Sequence, residues 1–162
     1  MTNHGYKLYL LAALLLATVA TATGADKQRR LTGDWKVDVE KSDFGMLFAP
    51  KSATIKIDQK DPNFKFSDVE MNEQGETSRT ESNCTTNGKE CTVTLIATNY
   101  PATGTMKWDG SSLIFDGSGS SSGIDFQIHE KWDLSQDGKT ITVSRQLSST
   151  RGNTSQTIVL DK

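Results

Sequence analysis

The chain has 162 residues with 18 basic and 20 acidic side chains, so its formal net charge at pH 7 is −2. A protein that binds nucleic acid is expected to have a basic face, and this balance argues against that function. The length is typical of a single domain that can bury a hydrophobic core.

Residues 1–25 are typical of a secretory signal peptide. They contain one lysine and no acid, and an apolar run from Leu8 to Ala20 is followed by small-residue cleavage sites ending at Ala22 and Ala25. The run is shorter than the about 20 apolar residues of a membrane-spanning helix. We expect cleavage to leave a secreted or periplasmic domain over residues 26–162, with a net charge of about −3 and no stable membrane insertion.

The mature chain begins with a predicted strand and an apolar segment. Alternating residues from Leu31 to Val39 put Trp35 on the apolar face of the strand. The segment Ser42 to Pro50 is apolar but lacks strand periodicity, which indicates an ordered loop or one helical turn. We favour a plug packed over one end of the fold, because exposed apolar patches are rare; the alternative is a lid over a barrel mouth.

Two further strands are predicted around a turn at Pro62. In the third strand the inward phase set by Phe66 shifts to Val69, which predicts a β-bulge at Ser67 or Asp68. The fourth strand, over residues 76–83, contains no apolar residue. That composition is unexpected for the wall of a packed barrel.

Two cysteines flank the next predicted turn. Cys84 and Cys91 are placed symmetrically about Asn87-Gly88, a residue pair typical of tight hairpins. Opposed residues of antiparallel strands have Cα atoms within disulfide range, and an exported protein meets oxidising conditions. We therefore predict a disulfide between Cys84 and Cys91.

The same hairpin register predicts a small, polar inward face. It places Ser82 opposite Val93 and Thr80 opposite Leu95, so the two polar side chains point inward if the apolar ones do. Either water or a ligand occupies the space that remains, or the strand lies at a frayed opening of the barrel.

The following segment contains Met106 and Trp108 on one face of a strand. After it, residues 117–123 are all serine or glycine. This composition predicts a flexible loop at the rim, between closely flanking strands.

The segment from Ile124 to Leu147 contains the clearest two-stranded pattern in the chain. Apolar residues of its first arm, including Phe126 and Trp132, fall on even positions, and Asp137-Gly138 between the arms is typical of a tight hairpin loop.

The register of this hairpin follows from its pattern. Antiparallel partners must put their apolar residues on one face, which requires Ser135 to pair with Thr140. Glu130 then lies opposite Arg145, and both belong to the inward phase. We predict that the hairpin directs one acid and one base into the interior.

The complete pattern predicts an all-β fold. About ten short strands joined mostly by tight turns, with no long helix, favour a single antiparallel up-and-down β-barrel of about 8 to 10 strands, because closure removes free edges. A β-sandwich is the alternative.

The segment Leu31-Thr32-Gly33-Asp34-Trp35 resembles the Gly-x-Trp element of lipocalins and other calycins. The resemblance implies a barrel whose interior holds a small apolar ligand. It also implies that Trp35 closes one end under an arginine from late in the chain, for which Arg145 is the best match. The strand count is more similar to that of fatty-acid-binding proteins than to that of eight-stranded lipocalins.

The sequence contains no recognisable catalytic constellation. His129 is the only histidine after the predicted cleavage sites, and it belongs to the outward face of its strand. No nucleophile elbow, phosphate loop or clustered metal-ligand set is present. We predict no enzyme activity, no cofactor and no metal site.

Two functions compete. The first is a barrel that binds a small, mostly apolar ligand, with Arg145 and Glu130 as its polar elements. Its lining would consist of Trp35, Trp108, Trp132, Phe126 and Thr80. The alternative is a structural or interaction module with a filled core, in which Glu130 and Arg145 form a buried pair. A cavity of about 300 Å³ or more reaching Arg145 would favour the first.

Overall fold

The computed structural model describes Met1 and residues 30–162, so the signal peptide predicted over residues 1–25 lies outside the described residues apart from Met1. None of the described residues forms a helix that is long and apolar enough to cross a membrane. Residues 30–162 form ten strands: β1 (Gly33–Val37), β2 (Ser52–Lys60), β3 (Asn63–Met71), β4 (Thr77–Thr85), β5 (Asn87–Thr94), β6 (Pro101–Asp109), β7 (Ser112–Ser121), β8 (Ile124–Leu134), β9 (Thr140–Ser149) and β10 (Gly152–Asp161).

The strands form one antiparallel sheet in the order β4-β3-β2-β1-β10-β9-β8-β7-β6-β5. Each strand therefore pairs with the next one in the chain except that β4 does not pair with β5, and β1 also pairs with β10. The sheet curls into a nearly closed barrel, which confirms the up-and-down architecture over the sandwich.

A gap in the hydrogen-bond ladder separates β4 from β5. One bond crosses it from the β5 main chain, because Thr94 N donates to the Ser82 hydroxyl at 3.0 Å. The predicted disulfide is present: Cys84 and Cys91 are bonded, with Cα atoms 5.3 Å apart. β4 lies at this opening, which agrees with one of the two predicted alternatives for its polar composition.

The predicted tight hairpin at Asn87-Gly88 is wrong. The turn lies instead at Thr86, whose main-chain N–H donates to Pro62 O at 2.8 Å and whose hydroxyl donates to Asp61 Oδ1 at 2.8 Å. These bonds hold the turn against the β2–β3 connection. Asn87 already pairs with Lys107 of β6, so no β4–β5 ladder forms.

The predicted bulge in β3 is also wrong. β3 pairs with β2 residue by residue along its whole length, so the inward phase of Phe64 and Phe66 continues through Asp68 and Glu70. The pattern failed here because two carboxyl groups occupy inward positions. Val69, which the pattern placed inside, is only half-buried.

The serine- and glycine-rich segment is a strand rather than a rim loop. β7 continues to Ser121, and its inward positions at Gly117 and Gly119 lie against aromatic rings. A Cβ on Gly119 would lie 2.3 Å from Pro101 O and 2.5 Å from Cζ of Phe126. Glycine is required at this position because the neighbouring main chain and the ring fill the space of a side chain.

Gly119→Ala is expected to lower the free energy of unfolding by about 1 to 2 kcal/mol, because the added methyl group overpacks this contact. Urea denaturation followed by circular dichroism measures the effect. Ser120→Ala is the matched control, since Ser120 is exposed on the outer face of the same strand. Equal stability of the two variants would contradict the close contact of Gly119 with Pro101 and the Phe126 ring.

Candidate functional site

The hairpin of β8 and β9 has the predicted register. Glu130 lies opposite Arg145, and Nε of Arg145 donates to Oε1 of Glu130 at 2.6 Å. Both side chains are buried in the barrel interior, where water does not screen their attraction.

Other protein groups engage the remaining donors of Arg145. Its two terminal nitrogens donate to Oε1 of Gln156 at 2.9 Å and to the main-chain O of Ile96 at 3.0 Å. Oε2 of Glu130 accepts a bond from Trp132 Nε1 at 3.0 Å. We call Arg145, Glu130, Gln156 and Trp132 the Arg145 network. Each of the three guanidinium nitrogens of Arg145 therefore donates to a protein acceptor.

Trp35 is buried toward the end of the barrel that has the β2–β3 and β8–β9 turns, and a residue other than Arg145 covers it. Nε1 of Trp35 donates to Leu31 O at 2.9 Å, and Nζ of Lys162 lies 4.9 Å from the centre of its ring. The implied role of Arg145 as the cover of Trp35 is therefore wrong. Lys162 follows the last strand and is close enough for a cation–π contact, whereas Arg145 is engaged in its own network.

The structure does not gather the predicted lining residues around one cavity. Trp132 packs in the core, with its ring centroid 6.1 Å from that of Phe64. Trp108 is half-buried beside the β2–β3 connection, where its Nε1 donates to Asp61 Oδ1 at 3.3 Å. Thr80 is half-buried on β4, and its hydroxyl donates to Asp68. His129 is exposed, as predicted for its strand face.

Two adjoining clefts lie at the end of the barrel where residues 38–51 connect β1 to β2. We call this segment the connector. The first cleft has a volume of about 450 Å³ and lies between the connector, the β3–β4 turn and the β5–β6 turn. The second has a volume of about 300 Å³ and includes Phe126 of the predicted lining. Leu47 and Tyr100 line both clefts, and Arg145 lines neither.

The connector combines the two roles that its sequence suggested. Phe44 is buried like a plug, and its main-chain O accepts a bond from Gln156 Nε2 at 2.8 Å. By contrast, Met46 and Phe48 are 75% and 98% exposed, next to the clefts. One part of the connector therefore completes the core, and the other presents apolar side chains at the cleft mouths.

Two acidic residues that the sequence reasoning missed, Asp68 and Glu70, lie beneath the first cleft. Glu70 lines the cleft although it is only 6% exposed. Its carboxylate accepts bonds from the main-chain N–H of Ala97 and from Asn99 Nδ2, the latter at 3.3 Å. Extending the inward phase of Phe64 by steps of two would have found both acids.

Burial and the charge of Asp68 raise the pKa of Glu70 to about 7, against the opposing influence of Arg145. Burial raises the pKa of Asp68 as well. Oδ2 of Asp68 accepts no hydrogen bond from a described donor when both carboxyls are ionised. A proton on either carboxyl allows a hydrogen bond between Asp68 and Glu70, which favours protonation of the pair.

A single peptide unit of the β5–β6 turn joins these two polar groups. The carbonyl of Ile96 accepts a bond from Arg145, while the N–H of the next residue, Ala97, donates to Glu70. Ala97 has a φ of 62°, in the left-handed region that is uncommon for a residue with a side chain. The two buried charged groups hold the turn in this conformation.

A search of solved structures finds a similar architecture. The crystal structure of zebrafish ileal bile acid-binding protein complexed with cholic acid matches with a TM-score of 0.52 and 13% sequence identity, covering 81% of this chain and 97% of that protein. The chain therefore shares the antiparallel barrel fold of that protein. The lipocalin-like barrel expected from Gly33 and Trp35 is confirmed as a fold. No family model and no curated protein sequence matches the chain.

Proposed function

We propose that this calycin barrel binds a small, mostly apolar molecule in the two clefts at the connector end. The observation that carries the proposal is the pair of adjoining clefts, which meet at Leu47 and Tyr100. Their volumes of about 450 and 300 Å³ are in the range of small-molecule sites. The exposed Met46 and Phe48 add apolar contact area at the entrance.

This location differs from a site centred on Arg145. The Arg145 network is buried and internally satisfied, so a ligand that reached it would have to displace good charge-assisted hydrogen bonds. We therefore place the ligand in the clefts and not in contact with the Arg145 network. The network lies beneath the β5–β6 turn and supports it. The bound cholic acid of the zebrafish protein supports binding of small molecules by this architecture.

The protein is proposed to act outside the reducing cytosol, secreted or in a periplasm. The disulfide between Cys84 and Cys91 supports an oxidising compartment. The composition of residues 1–25, which is typical of a signal peptide, also supports export from the cytosol. Native mass spectrometry of the protein purified from its own source tests both parts of the proposal. The mass shows whether the chain is cleaved after Ala22 or Ala25, and any additional mass shows a retained small molecule.

An interaction module with a filled core is the second candidate. It is favoured by the closed Arg145 network and by Phe48, which is almost fully exposed, as expected of a protein contact. In this case, the purified protein would retain no small molecule, and apolar dyes would not bind in the clefts.

Binding of the neutral dye N-phenyl-1-naphthylamine, followed by its fluorescence, separates the two candidates. We expect saturable binding, and we expect Leu47→Asn to weaken it about tenfold, because Leu47 lines both clefts and an apolar contact of this size contributes about 1.4 kcal/mol. Val159→Asn is the control, since Val159 is half-buried but lies on β10, away from the clefts. An absence of saturable binding, or equal affinity in both variants, would reject the proposed site.

A further inference from the structure

The first cleft is lined by acidic residues and, within the described part of the chain, by no basic ones. Its lining includes the carboxyl groups of Glu70 and Glu76, whereas the described residues that line it include no lysine, arginine or histidine. The other polar lining groups are amides and hydroxyls. An anionic ligand would therefore meet like charge in this cleft without a compensating cation, which disfavours its binding.

Glu70 has unused capacity for hydrogen bonds. An ionised carboxylate offers about four acceptor positions, and the described donors to Glu70 are the Ala97 N–H and Asn99 Nδ2. Arg145, the nearby cation, directs its donors to Glu130, Gln156 and Ile96. Glu70 is thus a buried acid at a cleft, without an ion-pair partner among the described residues.

Asp68 adds a second acid next to Glu70 on the inward face of β3. It is 1% exposed, and when both carboxyls are ionised its Oδ2 has no hydrogen-bond donor among the described residues, so a proton shared with Glu70 or a nearby cation is needed to satisfy it. Two neighbouring carboxyl groups in a poorly hydrated site favour protonation unless a cation is bound nearby. The raised pKa values of Asp68 and Glu70 are the expected consequence of this arrangement.

Aromatic side chains lie at the same cleft. Tyr100 and Phe48 both line it, and the Phe48 ring is exposed. The face of an aromatic ring attracts a desolvated ammonium group, and a carboxylate next to such rings adds an ion pair. The combination therefore fits an organic cation with an apolar body.

On the basis of the proposed function, we propose that the ligand of the first cleft is a cationic amphiphile, and that Glu70 binds its amine or quaternary ammonium group. The apolar body of the ligand lies along Leu47 and Tyr100, which continue into the second cleft. Asp68 supports the site from below by adding negative charge. Arg145 remains in its network and takes no part in recognising the ligand.

Competition with the bound dye tests this inference through three probes that share a decyl chain: decyltrimethylammonium, decanol and decanoate. At about pH 8 we expect decyltrimethylammonium to displace the dye at a concentration about tenfold lower than decanoate, with decanol between them. In Glu70→Gln this ratio should fall to about threefold or less. Glu73→Gln, the same charge change at an exposed residue of the β3–β4 turn, should keep the wild-type ratio.

The outcomes distinguish this inference from the proposed function. If decanol displaces the dye but the two ionic probes do so equally, binding in the clefts stands and the cationic specificity is rejected. A tenfold ratio that persists in Glu70→Gln rejects the role of Glu70. If the dye does not bind and none of the probes binds, the proposed function itself fails.

A measurement on the unmodified protein avoids dependence on the folding of the variant. The preference for decyltrimethylammonium over decanoate should decrease from about pH 8 to about pH 5.5, as the acids beneath the cleft become protonated. The titratable groups around Glu70 are Asp68 on β3, Glu76 and Tyr100 at the rim, and Arg145 on β9. A preference that does not change with pH would contradict ion pairing with Glu70.

Discussion

Replacing Arg145 with methionine is expected to lower the free energy of unfolding by about 3 to 5 kcal/mol. The substitution leaves the Glu130 carboxylate buried without its cation. It also removes a donor from Gln156 and from the Ile96 carbonyl. Urea denaturation at neutral pH, followed by near-ultraviolet circular dichroism, measures the loss. Arg151→Met at an exposed turn is the control and should have little effect.

A double variant tests whether this loss comes from the unpaired charge. Adding Glu130→Leu to Arg145→Met should recover much of the lost stability, because the buried carboxylate is then absent. A double-mutant cycle with the two single variants gives the coupling energy between the side chains. Purely additive losses would mean that Glu130 and Arg145 do not interact as the β8–β9 register requires.

Glu70→Gln is expected to change how stability depends on pH. The folded protein raises the pKa of Glu70 from its ordinary 4.5 to about 7, so between these values the folded state binds more protons than the unfolded state. The stabilisation is fully present below about pH 4.5 and is lost as pH rises through about 7. The wild-type protein should therefore lose on the order of 2 kcal/mol of stability from this group over that window.

The neutral amide of Glu70→Gln cannot ionise, so the variant should lose less stability than the wild-type protein as pH rises from about 5 to about 8. Burial also raises the pKa of Asp68, which contributes a fall of the same sign. Chemical denaturation at a series of pH values provides the measurement. Glu73→Gln, at an exposed position, should follow the wild-type curve. Parallel curves for wild type and Glu70→Gln would contradict a raised pKa at Glu70.

The sequence predicted the β8–β9 hairpin correctly because local rules were sufficient there. Strict alternation and the Asp137-Gly138 turn define the register, and a shift by one residue would expose Trp132. The position of Glu130 opposite Arg145 then follows without knowledge of the rest of the chain. The cysteine pair was predicted for a related reason, since its spacing and the export context both favour a disulfide.

The candidate site was not predicted because its determinants are distant in sequence. Burial of Glu70 depends on the N–H of Ala97, which lies 27 positions later, and burial of Asp68 depends on the hydroxyl of Thr80 on the next strand. A pattern that assigns acids to the outside cannot include these donors. The strand at Gly119 was missed for the same reason. The residue that packs against this glycine, Phe126, lies on the next strand.

The gap between β4 and β5 is bridged by different kinds of bond at its two ends. One end is covalent, at the Cys84–Cys91 disulfide. The other end, beside the first cleft, has hydrogen bonds only: Asn99 Nδ2 donates to Ser78 Oγ at 3.1 Å, and the Ala97 N–H donates to Glu70. We therefore expect thermal separation of the two edges to begin at the cleft, while the disulfide restrains the far end. The wall of the barrel that we expect to yield to an incoming molecule is then the one beside the first cleft, next to the strand on which Glu70 lies.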